Sequence, residues 1–99
     1  MMNLEKFFEN IDHTPKKFLR RNFDDLLRYK SKYKNLDKGN QDVIFGVIEK
    51  YVEKLKKYHR IDSNTIRLEM NKLRRNRIKL DMTEEDLKDT EEILKMFKG

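Results

Sequence analysis

The side chains of this sequence best suited to chemistry are cations and amides set at helical spacing. Asn64, Arg67, Asn71, Arg74 and Arg75 recur at intervals of three and four, with Lys72 among them. Residues so spaced share a helix face. Arginine offers a planar fork of donors that fits phosphate or a guanine edge, and asparagine can pair with adenine through two hydrogen bonds. A second basic group, Lys16, Lys17, Arg20 and Arg21, stands earlier in the chain. Four cations on adjoining turns can contact backbone phosphates whatever the base sequence. Cations at a helix start oppose its dipole, so this placement gains nothing for stability. The bland alternative is a solvated face on which Arg21–Asp25 and Asp24–Arg28 pair one turn apart.

Catalysis finds no comparable footing. The chain has no cysteine, so it has no thiol nucleophile, disulfide framework or zinc ribbon. Ser31 and Ser63 stand outside any nucleophile motif, and no glycine-rich phosphate loop is present. The acid pairs Asp24-Asp25, Glu84-Glu85 and Glu91-Glu92 lie among lysines on expected helix surfaces. His13 and His59 are distant in sequence and lack ligand spacing, so neither a metal nor a cofactor is expected. Tyr29, Tyr33, Tyr51 and Tyr58 interleave with basic residues, a pattern that serves base stacking or helix packing. The expectation is a non-enzyme.

Helical periodicity must position these groups. Residues 3–10 suggest a short helix carrying Leu4, Phe7 and Phe8. Thr14 as cap and Pro15 as first residue open a helix to about Lys34, with Phe18, Leu19, Phe23, Leu26, Leu27 and Tyr33 along one side. Asp37 or Asn40 caps the next, about Gln41 to His59, which has the strongest pattern. Its stripe is Val43, Ile44, Val47, Ile48, Tyr51, Val52 and Leu55. Gly46 inside it costs about 1 kcal/mol relative to alanine. Asp62 or Ser63 then caps a helix over about 64–79, seated by Ile66, Met70 and Leu73. Thr83-Glu84-Glu85-Asp86 forms a capping-box pattern before Leu87, Thr90, Ile93, Leu94 and Phe97. No segment alternates as a strand would. The expected fold is all-α, a compact bundle of four main helices plus a short N-terminal helix, in a single domain over residues 1–99.

The segment 52–73 resembles a helix-turn-helix, especially the recognition helix of winged-helix sugar-operon repressors. The residues that carry the likeness are Ile61, Asp62, Ser63, Asn64, Thr65, Ile66, Arg67, Glu69, Met70, Asn71 and Leu73. The resemblance implies a DNA-binding regulator in which Asn64, Arg67 and Asn71 face a major groove. The chain departs from the pattern at Lys56, where a small residue is usual, at Arg60, where glycine is usual, and at Leu68. No glycine-bearing hairpin follows Leu80 to form a wing.

Charge is segregated along the chain. Residues 64–80 hold six Lys/Arg and one Glu, whereas residues 81–99 hold seven acids and three Lys. The whole carries +6, with 24 Lys and Arg against 18 Asp and Glu, which favours an acidic partner. Abundant lysine without alanine also fits an AT-rich coding bias. Nucleic acid is the expected partner, DNA ahead of RNA. The alternative is a helical adaptor or small subunit that packs against a protein partner or a second copy through the stripe of the 41–59 helix. No apolar run reaches membrane-spanning length and the opening residues form no signal-like segment, so a cytoplasmic protein without a membrane partner is expected.

Overall fold

The computed structural model describes residues 3–29, 33 and 36–97, and the expected continuation of the second helix through 30–32 and 34 lies outside them. Helix α1 is Leu4–Phe8, opened by the Asn3 side chain, which accepts from the Lys6 amide at 2.8 Å. Asn10 is left-handed at φ 53°, a conformation asparagine tolerates, and it turns the chain into a single 3-10 turn, Ile11–His13. Helix α2, Lys16–Tyr29, hangs from the Pro15 carbonyl, which accepts from the amides of Phe18 and Leu19 at 2.9 and 3.0 Å. Thr14, the expected cap, donates its hydroxyl back to the Asn10 carbonyl. Leu19, Phe23, Leu26 and Leu27 form the buried face of α2. Phe18, expected on that side, is 43% exposed, because it lies one residue, about 100° of helical turn, away from the Leu19–Phe23 row.

Helix α3, Lys38–Tyr58, starts three residues earlier than its sequence pattern indicates. Asp37 is the cap and accepts from the Asn40 amide at 2.7 Å. Asn40, the other candidate cap, is instead buried in the first turn, where its Nδ2 donates to Asp86 at 3.3 Å and to the Asp81 carbonyl at 3.4 Å. Ile44, Val47, Ile48, Tyr51 and Val52 are buried, with Val43 and Leu55 packed beside them. The chain's own core therefore covers this stripe, and a partner would have to displace that core to reach it.

Helix α4, Ser63–Arg75, is capped by Asp62, whose carboxylate accepts from the Thr65 amide at 2.8 Å. It ends short of the expected Lys79. The Asn76 side chain donates to the Lys72 carbonyl at 2.8 Å, and its amide is shared between the carbonyls of Lys72 and Leu73, so the regular ladder is interrupted there. One further turn follows, and left-handed Asp81 closes it. The amide of Met82 donates to Arg77 and that of Asp81 to Ile78, the bond pattern of a left-handed helix stop. Helix α5, Glu84–Lys95, has the capping box that the sequence indicates, between Thr83 and Asp86.

Aromatic rings tie these elements together. Phe23 lies 6.1 Å from Phe7 and 5.4 Å from Phe45, while Phe97 lies 4.8 Å from Phe8 and 5.4 Å from Tyr51, between ring centroids. Such pairs contribute beyond the area they bury. The radius of gyration, 12.8 Å, is close to the about 13 Å typical of a compactly folded chain of 100 residues. The fold is all-α, with no β-strand among the described residues.

Candidate nucleic-acid interface

Helix α4 is anchored along its length, and that anchoring decides which side chains face solvent. Ile66, Met70 and Leu73 are buried in the core. Glu69, also buried, is neutralised by Lys50 of α3 at 2.5 Å. The Tyr51 hydroxyl donates to the Thr65 carbonyl at 3.3 Å and fixes the first turn. Burial, reinforced by the Glu69 charge, pushes the Tyr51 phenol well above its ordinary pKa, so it stays a donor. Hydrogen bonds from the Thr65 backbone and hydroxyl hold the Asp62 carboxyl below the usual aspartate value.

The turn before α4 runs from His59 to Asp62, four residues between Tyr58 and Ser63. That is the length typical of a helix-turn-helix connection. His59 is left-handed at φ 67° and its amide donates to the Leu55 carbonyl. The position that asks for glycine is thus His59 and not Arg60.

With its inner face so fixed, α4 exposes Asn64, Arg67, Leu68, Asn71, Lys72, Arg74 and Arg75. Apart from Ser63, which is exposed as well, its exposed polar residues are the six selected from the sequence. Arg67 donates to the side-chain Oδ1 of Asn64, so these two present a joined edge. Arg74 and Arg77 are both held by Glu84 of α5, each at 2.8 Å. Arg67, Lys72, Arg75 and Lys79 form no ion pair with a described carboxylate.

Two hollows flank this face. One, of about 540 Å³ between α4 and α5, is floored by Ile66 and Met70 and rimmed by Arg67, Asn71, Arg74, Glu91 and Lys95. The other, of about 480 Å³, is an open depression on α4 itself, lined by Leu68, Asn71, Arg74 and Arg75. Asn71 and Arg74 stand on the ridge common to both.

The second basic group divides. Lys16 pairs with Glu49 of α3 at 3.2 Å. Arg20 bonds Asp24 at 3.1 Å and Asp42 at 3.0 Å, with its guanidinium 4.9 Å from the Phe45 ring centre. These contacts, the Asp42 hydrogen bond foremost, raise its pKa further. Lys17 lies over the Phe18 ring, and Arg21 is exposed. The i,i+4 partners read from sequence are shifted: Arg20, not Arg21, meets the aspartate a turn later, and Arg28 meets Asp25 at 3.9 Å.

Among the acids of the 81–99 segment, Glu84 reaches the basic helix. Asp89 is buried, Glu91 pairs with Lys95 at 3.3 Å, and Glu92 accepts from the buried Tyr33 hydroxyl at 3.1 Å. Burial, then the Glu92 charge, raises the Tyr33 phenol pKa. Two residues beside the basic face escaped the sequence argument. Leu68, noted there only as a departure from the pattern, is 55% exposed, and Ile78 is 87% exposed. The available signal for Ile78 was its place between Arg77 and Lys79.

Among the described residues, no group of three or more His, Asp or Glu is placed to hold a metal, and no helix is long and apolar enough to cross a membrane. No protein-family model matches this chain, and neither a curated protein nor a solved structure shows significant similarity to it.

Proposed function

We propose that this chain is a non-enzymatic nucleic-acid-binding protein whose contact surface is the solvent face of α4 and the turn after it. The run of exposed cations and amides along α4 and the turn after it carries this conclusion. Lys16, Arg20, Lys50, Arg74 and Arg77 each have a carboxylate partner. Arg67, Lys72, Arg75 and Lys79 lie along the exposed side of α4 and the turn after it without one, Arg67 on the flank toward α5 and Lys72 and Lys79 on the flank toward α3. Like charges a turn apart cost a few tenths of a kcal/mol per pair, a cost that a polyanion removes. Asn64, Arg67 and Asn71 share that side, so groups able to meet base edges stand beside groups able to meet phosphates. The four-residue turn with left-handed His59 supports α4 as the contact helix, with DNA ahead of RNA as its ligand. Lys17 and Arg21 of α2 supply outlying phosphate contacts.

A second function, an adaptor in a protein assembly, is favoured by the exposure of Leu68 and Ile78. The two separate by salt. Fluorescence anisotropy with a labelled oligonucleotide should show binding at about 50 mM salt that falls steeply by about 0.5 M. Absence of binding at the low-salt end removes nucleic acid and leaves the adaptor.

A further inference from the structure

The geometry points to single-stranded nucleic acid as the ligand of this face, with two neighbouring unpaired bases seated in the hollows either side of the Asn71–Arg74 ridge. This rests on α4 being a nucleic-acid surface and names which form it takes. Each hollow combines an apolar patch with cations, Ile66 and Met70 in one and Leu68 in the other. A duplex offers groove-edge atoms and few apolar groups beyond the thymine methyl. An unpaired base offers a whole apolar face, which every base possesses. Both hollows fall within the roughly 300–1,000 Å³ of small-ligand sites, ample for a base and its sugar.

The ridge supplies the rest. Asn71 forms no hydrogen bond with a described side chain and can pair with a base edge on either side. Arg75 lies beside Leu68 in one hollow and Arg67 rims the other, so phosphates flanking each base meet a cation. Ile78, beyond the ridge and between Arg77 and Lys79, extends the same alternation of apolar and basic groups. A track of cations follows the backbone of an unpaired strand without strict sequence preference, and the aliphatic groups between them offer its bases an apolar contact. Leucine and isoleucine beside cations also suit an anionic membrane surface. The Asn71 amide, engaged by no described side chain and able to pair with a base edge, argues for bases instead.

The test compares one labelled 12-nucleotide single strand with its duplex, by anisotropy at about 0.1 M salt, with wild type, Leu68→Ser and Asn71→Ala. Sedimentation with vesicles containing phosphatidylserine runs alongside. The single strand should bind about tenfold or more tighter than the duplex, and each substitution should weaken it roughly three- to tenfold, the lower part of the range for losing one stacked base. Because both side chains are exposed, the melting temperature should not move. Equal or tighter duplex binding, or unchanged single-strand affinity in Leu68→Ser, overturns the single-strand assignment while leaving nucleic-acid binding in place. Binding to vesicles with no binding to either oligonucleotide overturns both.

Discussion

At the scale of the residue, identical side chains have opposite roles according to what lies across from them. Arg20 and Arg75 are both basic residues on helices. Arg20 bridges α2 to α3 through Asp42 and lies over Phe45, so its guanidinium serves the fold. Arg75 meets no described carboxylate. Replacing Arg20 by Ala should therefore cost about 1 kcal/mol, from a cation–π contact and two part-exposed ion pairs. Arg75→Ala should leave stability within about 0.5 kcal/mol, as surface changes do. Urea denaturation of the two variants checks the contrast, and equal midpoints would contradict it. The sequence shows both arginines but cannot show this difference, because Asp42 lies 22 positions from Arg20 and only the packing of two helices brings them together. Glu84 is the same case: its clamp on Arg74 and Arg77 depends on the turn that folds α5 back beside α4.

At the scale of the element, the helices were legible because their signals are local. Asp62 and the Thr83–Asp86 box act within three residues, and the caps are where the sequence indicates. Helix ends failed where a competing local bond intervened, as Asn76 does by bonding back to Lys72. Two consequences follow at this scale. Gly46 is helical in the middle of α3, and a Cβ built there meets nothing within 4 Å. Gly46→Ala should thus stabilise the protein by about 0.5–1 kcal/mol, read as a higher denaturation midpoint. The Asp62 cap gives a pH dependence. Its carboxyl pKa is lowered in the folded state, so its contribution is present above the unfolded value of 3.8 and is lost as pH falls through the folded value. The N-terminus of α4 should loosen below about pH 4, seen as a titrating Thr65 amide resonance that Asp62→Asn abolishes.

At the scale of the whole molecule, the fold shows what covers the apolar stripe of α3. The widest apolar stripe reads equally well from sequence as a core or as an interface, since periodicity reports a buried face and not what buries it. Here the described core encloses Ile44, Ile48 and Tyr51 with no exposed surface. Ile48→Asp should accordingly unfold the monomer, because an unpaired buried charge costs several kcal/mol against a total of roughly 5–15. Retained far-UV circular dichroism and an unchanged melting temperature would show the stripe is not core. With the apolar stripe of α3 buried, the surface left for a partner is polar, and α4 with the turn that follows is one of its basic parts.

The central claim is that Arg67, Lys72, Arg75 and Lys79 form the contact with nucleic acid. Its most direct test is the salt dependence of single-strand binding by a variant with all four changed to Gln. Each phosphate contact on an unpaired strand contributes about 0.7 to the slope of log affinity against log salt. The variant should keep the wild-type melting temperature, lose most of its affinity at about 50 mM salt, and show a slope flatter by up to about 3. Wild-type affinity with an unchanged slope would contradict the claim.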